Sequence, residues 1–123
     1  WDAYALPPVE IVPKQGFFGT EARMEPGAVQ YIAPVRPASL SDDEGDAQAI
    51  RAEIERAALE VYRAYNARDL ARVDLIWDGA QARVFEVNVS PGMAERSLFP
   101  AACEAAGLSL SSVLNELVTQ YAK

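Results

Sequence analysis

Between residues 71 and 89 the chain carries two apolar runs of strand length, each interrupted by polar side chains. The first, 71–77, reads Ala-Arg-Val-Asp-Leu-Ile-Trp. The second, 82–89, reads Ala-Arg-Val-Phe-Glu-Val-Asn-Val, and Asp78, Gly79, Ala80 and Gln81 supply the turn between them. Side chains alternate across a strand, so Arg72 and Asp74 share one face of the first, and Glu86 and Asn88 share one face of the second. Whether those faces coincide depends on the loop. A three-residue connection, 79–81, pairs Asp74 with Glu86 and Arg72 with Asn88, whereas a two-residue turn sets Asp74 opposite Phe85. The first register collects the polar groups on one side and is the one expected.

The same patterning organises the rest of the chain. Val9 and Ile11 flank Glu10 in a short strand bounded by Pro7-Pro8 and Pro13, which place it at an edge. Residues 29–33 alternate as another strand, closed by Pro34 and Pro37, and 36–45 reads as a loop. Ser41 with Glu44 fits a capping box opening a helix. From about 46 to 66, Ala47, Ile50, Ile54, Ala57, Val61 and Tyr65 recur at helical spacing, opposite a charged face of Arg51, Glu53, Glu55, Arg56 and Arg63. After the hairpin, Ser90-Pro91-Gly92-Met93 forms a tight loop. Ser97 caps a helix that has Pro100 in its first turn and Gly107 as its stop. A last helix, 109–121, carries Leu110, Val113, Leu114, Leu117, Val118 and Tyr121 as a stripe expected to pack on the sheet. This order of elements predicts an α+β fold with a mainly antiparallel sheet packed against helices.

Composition narrows the class. A chain of 123 residues, 50% hydrophobic, buries one modest core, so 1–123 reads as a single domain. A net charge of −7 with no histidine argues against nucleic acid and against an anionic membrane surface as partners. The single cysteine, Cys103, lies in an alanine-rich helical stretch and reads as a buried small residue in a reducing compartment. No apolar run is long enough to span a bilayer, and no signal peptide is present. The start at Trp1 points to a piece of a longer polypeptide.

Asp74, Glu86 and the amide of Asn88 are hard oxygen donors, and two carboxylates at cross-strand distance repel unless a cation sits between them. Such a set suits magnesium, which shares its remaining positions with water and substrate phosphates. Arg72 beside it is suited to hold a developing negative charge. A solvated strand face accounts for the same residues without any ligand.

The ordered set Ala71-Arg72-Val73-Asp74, Phe85-Glu86-Val87-Asn88-Val89-Ser90-Pro91-Gly92-Met93 and Ser97-Leu98-Phe99-Pro100 resembles the C-terminal half of the D-alanine–D-alanine ligases, members of the ATP-grasp superfamily. Upstream, Leu6-Pro7-Pro8-Val9-Glu10-Ile11 and the stretch from Gly16-Phe17-Phe18 to Glu21-Ala22 extend the likeness over nearly the whole chain. The resemblance implies an ATP-grasp C-terminal lobe, with the N-terminal substrate domain and the central lid domain lying upstream. It implies ATP and two magnesium ions, or manganese, as cofactors, with Asp74, Glu86 and Asn88 as metal ligands and Glu86 shared between the ions. Arg23 stands where a lysine usually reaches an ATP phosphate, and with Glu86 it makes up the nucleotide-binding set. Arg72 and the Gly92 amide hold the oxyanion of a tetrahedral intermediate, and Ser97 with Leu98 binds the carboxylate of the second D-alanine. Departures are Met24 where a tyrosine is usual, Val89 and Ala94 where threonine is frequent, and Arg96 near a usual histidine.

Three functions are compatible with this reading. One is the ATP-dependent joining of two D-alanines for peptidoglycan, in the cytoplasm, by a full-length protein that dimerises through its N-terminal domain. In that case the isolated 123 residues, holding half a nucleotide site, bind ATP weakly and do not turn over. A second is an ATP-grasp ligase with another amino-acid or hydroxy-acid acceptor; Leu98 and Met93 favour D-alanine over D-lactate. The third is a degenerate, non-catalytic interaction module.

Overall fold

The computed structural model describes residues 3–13, 29–94 and 97–121. Strand β1 (Glu10–Pro13) pairs antiparallel with β2 (Val29–Ile32), Glu10 opposite Ile32. A one-turn helix, α1 (Pro37–Leu40), precedes the long helix α2 (Glu44–Ala64). Strands β3 (Arg72–Trp77) and β4 (Ala82–Asn88) form a second antiparallel ribbon, followed by α3 (Leu98–Ala105) and α4 (Leu110–Tyr121). α2 packs on β3 and β4, so the central hairpin has one face on a helix and the other turned away. Small antiparallel sheets against helices give the α+β class expected.

Local chemistry explains where the elements stop. The segment 36–45 holds a helical turn because Pro37 fits the first helical position, where no amide donor is needed. Ser41 ends that turn, its N–H donating to the Pro37 carbonyl at 3.1 Å. It is therefore not the cap of α2. Asp43 is, accepting from the Asp46 amide at 2.9 Å, while Ser41 Oγ accepts from the Asp43 amide. The expected Ser41 to Glu44 box gives way to a carboxylate closer to the helix dipole. At its far end α2 stops two residues before Asn66, whose φ of 51° begins a left-handed turn. The Asn66 and Ala67 amides then donate to the Arg63 and Tyr62 carbonyls, a Schellman closure. Tyr65, expected in the buried stripe, falls outside the helix and is exposed. Gly107, with φ 77°, closes α3 in the same way, through Gly107 to Glu104 and Leu108 to Cys103.

Among the described residues the buried apolar side chains are Val35, Ala47, Ile54, Phe99 and Cys103, with Pro91 in the loop after β4. Ala47 and Ile54 belong to the predicted stripe of α2, and Ile50, Ala57 and Val61 are half-buried beside them. Phe99 and Cys103 lie one turn apart on α3. No residue of α4 is buried; its main packing is on α3 and not on the sheet. The Tyr121 hydroxyl donates to the Asp69 carboxylate at 2.7 Å and ties the end of α4 to the turn leading into β3.

A second fastening joins the first ribbon to α1. The Glu10 carboxylate accepts from Arg36 Nη2 at 2.8 Å, from Arg36 Nε and its backbone amide at 3.2 Å, and from Ser39 Oγ at 2.9 Å. The Arg36 guanidinium, aided by Ser39 and the Arg36 amide and opposed by partial burial, lowers the Glu10 pKa from 4.5 to about 2. The folded-state value lies below the unfolded one, so this contribution to stability is complete above about pH 4.5 and disappears as pH falls toward 2. Glu10→Gln is expected to lower the unfolding midpoint at neutral pH, with the gap from wild type closing between about pH 4.5 and 2. A gap that stays constant across that window would assign the effect to packing and not to charge.

Candidate functional site

The site is built on the hairpin, whose register changes part-way along. At the turn, Trp77 pairs with Ala82, Ile76 with Arg83 and Leu75 with Val84. The Asp78 amide donates to the Gln81 carbonyl at 3.1 Å, and the Asp78 carboxylate accepts from the Ala80 and Gln81 amides, both at 2.8 Å, and from Arg83. The Gln81 and Ala80 amides, then Arg83, hold the Asp78 pKa at about 2. This is the two-residue turn. Beyond Leu75, Asp74 pairs with Glu86, Val73 with Val87 and Arg72 with Asn88. One extra residue, Phe85, sits between the two registers as a β-bulge.

The predicted pairing of the four polar residues is therefore present, but not because of the predicted loop. A signal for the bulge lies in the sequence itself. Apolar residues occupy even positions at Ala82 and Val84 and odd positions at Val87 and Val89, so the alternation slips by one across Phe85 and Glu86.

Arg72, Asp74, Glu86 and Asn88 thus share one face, while Val73, Leu75, Val84 and Val87 share the other, toward α2. Arg72 holds Asp74 side-on, Nε to Oδ1 at 2.8 Å and Nη2 to Oδ2 at 3.0 Å. Its Nη2 is also 4.0 Å from Glu86 Oε2. The Asp74 side chain is 9% exposed, that of Arg72 24% and that of Glu86 45%. Asn88 Oδ1 accepts from the Ser90 amide at 2.8 Å, an Asx turn that starts the Ser-Pro-Gly loop. Two carboxylates directly opposite one another repel, and the guanidinium between them offsets part of that. The donor set of two carboxylates and an amide oxygen, beside a face open to solvent, fits a hard cation. Among the described residues no three His, Cys, Asp or Glu side chains gather as a metal-binding group; the donors this face offers are the two carboxylates and the Asn88 amide oxygen.

Downstream, Pro91 is buried and Gly92 lies against Ser97: a Cβ on Gly92 would stand 3.1 Å from Ser97 Oγ. Ser97 occupies the N-cap position of α3, yet its side chain makes no capping bond. Pro100 explains this in part, since it fills the third helical position and removes one of the two amides a cap would serve. Among the described residues the Ser97 hydroxyl caps no amide of α3, and Leu98, half-buried, starts the helix beside it. Arg23, together with Met24 and Arg96, lies outside the described residues.

A long helix beneath an acidic antiparallel hairpin is the arrangement of an ATP-grasp C-terminal lobe. A solved structure described as the D-alanine–D-alanine ligase of Bacillus anthracis complexed with ATP superposes on it with a TM-score of 0.62 and 31% identity, over 89% of this chain and 33% of that one. The family model described as D-ala D-ala ligase C-terminus matches residues 2–119, and the chain belongs to that family. D-alanine–D-alanine ligases of Desulforudis audaxviator and Methylacidiphilum infernorum are 37% and 34% identical over 92% and 95% of the chain. The chain spans about a third of the length of these relatives, 34% and 36%.

Two outcomes test this construction. Deleting Phe85 removes the extra residue and lets the register set at the turn run through the hairpin, with Glu86 still opposite Asp74 and Asn88 opposite Arg72. Chemical denaturation should therefore show a loss of under about 1 kcal/mol for the deletion, as for Phe85→Ala at this position 58% exposed. A loss of about 3 kcal/mol or more on deletion would mean that Glu86 and Asn88 had been turned toward α2, and would refute Phe85 as the extra residue of the bulge. Ser97→Ala should leave stability within about 0.5 kcal/mol of wild type; the loss of about 1 kcal/mol usual for a capping serine would mean that the hydroxyl caps α3 after all.

Proposed function

We propose that this chain is the C-terminal lobe of an ATP-dependent D-alanine–D-alanine ligase, with an N-terminal substrate domain and a lid domain in the same polypeptide. The observation that carries the proposal is the common face of Arg72, Asp74, Glu86 and Asn88, produced by the bulge in a chain of this family. In the reaction, a carboxylate oxygen of the first D-alanine attacks the γ-phosphorus of ATP and ADP leaves. The amine of the second D-alanine then attacks the acylphosphate carbonyl, and the tetrahedral intermediate expels inorganic phosphate to give the dipeptide used in peptidoglycan.

Each residue has a role in that sequence. Asp74, Glu86 and Asn88 would hold two magnesium ions, Glu86 being shared, and bound magnesium would neutralise charge on the ATP phosphates during phosphoryl transfer. Arg23 would reach a phosphate of ATP. Arg72 and the Gly92 amide stabilise the oxyanion of the second step. The Ser97 hydroxyl, which caps no amide of α3, binds the acceptor carboxylate with the backbone at Leu98 at the start of that helix, where helix amides favour an anion. Among the described residues no helix is long and apolar enough to cross a membrane; the location proposed with this activity is the cytoplasm. The full-length protein is proposed to pair as a homodimer through its N-terminal domain.

A different acceptor is the second reading. Its basis is Val89, 59% exposed at the end of β4, and Ala94, also exposed, both where threonine is frequent in the family.

Calorimetry with magnesium and a non-hydrolysable ATP analogue, on the full-length protein and its Glu86→Gln variant, tests the proposal. Loss of a shared ligand should weaken metal-dependent nucleotide binding by at least the roughly 10–100-fold typical of disturbing a ligand's outer partners. The 123-residue chain alone should bind weakly and form no dipeptide. Unchanged binding in Glu86→Gln would leave the hairpin carboxylates as a solvated face.

A further inference from the structure

Arg72 and Asp74 are assigned to different steps, yet each occupies the other's functional atoms. Both oxygens of Asp74 accept from Arg72, at 2.8 and 3.0 Å, and the carboxylate is almost closed to solvent at 9% exposure. A cation binding Asp74 therefore competes with the guanidinium for both of its oxygens. The planar fork of arginine suits this side-on grip, which a lysine ammonium does not reproduce. Glu86 adds one further negative charge, with Nη2 of Arg72 leaning toward it at 4.0 Å. Without metal, the Arg72 guanidinium stands between the two carboxylates of this face. A divalent cation at Asp74 and Glu86 cancels their two negative charges, so the attraction that held the guanidinium is lost and the ion itself repels it at a few ångströms.

We propose that Asp74 is a positioning residue for Arg72: in the metal-free protein it parks the guanidinium against the hairpin carboxylates, and Arg72 is released toward the Gly92 loop only when a divalent cation takes Asp74. The topology gives that release a direction. Arg72 pairs with Asn88, the last residue of β4, and Asn88 leads through its bond to the Ser90 amide into the loop carrying Gly92. The oxyanion-holding group is thus withheld until the ions that drive the first step are loaded. This rests on the ligase reading above, and the test separates the two.

The experiment follows the Arg72 Nε–H group by two-dimensional NMR in the full-length protein labelled with 15N at arginine, the resonance being identified by its loss in Arg72→Lys. Titration with magnesium plus a non-hydrolysable ATP analogue should shift or broaden this resonance, and the analogue without magnesium should not. In Asp74→Asn the resonance should start away from its wild-type position and respond little. Calorimetry should also find magnesium bound roughly threefold to tenfold tighter by Arg72→Lys, which loses the fork but keeps the charge. Heat of binding with no change at Arg72, or an equal change from the analogue alone, overturns the proposal while the metal site stands. Absence of any magnesium binding overturns the metal-site reading and this proposal together.

Discussion

A β-bulge at Phe85 keeps the chemistry of this lobe on one face. A β-hairpin in a single register has its side-chain phase set at the turn, and here the tight turn around Asp78 sets a phase that would place Glu86 and Asn88 on the helix side with Val73 and Leu75. The bulge resets the phase after three pairs. The strand can then be apolar toward α2 along its whole length and still present its carboxylate and amide opposite Arg72 and Asp74. Turn stability and site geometry are separately satisfied, each by its own half of β4. Bulges recur beside active sites for this reason, since they re-aim a side chain without lengthening a loop.

Two carboxylate–arginine pairs in the structure show how surroundings decide what an ion pair does. Glu10 receives four donors from Arg36 and Ser39, none shared with another acid, and its pKa falls to about 2. Such a group is finished, and its value is structural. Among the described residues Asp74 accepts from the fork of Arg72 alone, and it stands across from a second carboxylate. That pair is a compromise among three charges, which a stronger cation can rearrange. The same two residue types make a fastening in one place and an exchangeable contact in the other.

Much of this was legible in the residues. The hairpin strands, the long helix, the Gly107 stop and the α+β class follow from alternation, helical spacing and cap chemistry, and the family likeness singled out Arg72, Asp74, Glu86, Asn88, Gly92, Ser97 and Leu98. What was missed involved competition between neighbouring signals. Ser41 and Asp43 both offer a cap to α2, and only the short helix before them decides which is used. Tyr65 fits the apolar period of α2 but lies past a left-handed closure at Asn66 that the period cannot register. Serine at the start of α3 looks like a cap until Pro100 is counted as a missing donor. The link from Glu10 to Arg36 spans 26 positions and leaves no local trace.

Cys103 is fully buried in α3, and burial raises its thiol pKa. A thiol that is both shielded and protonated does not react from the native state, because the thiolate is the nucleophile. Any reagent that modifies it must wait for α3 to lift, so the rate of modification reports how often this part of the lobe opens. The single thiol is thus an internal clock for the helix whose first turn carries Ser97 and Leu98, with no label to be introduced.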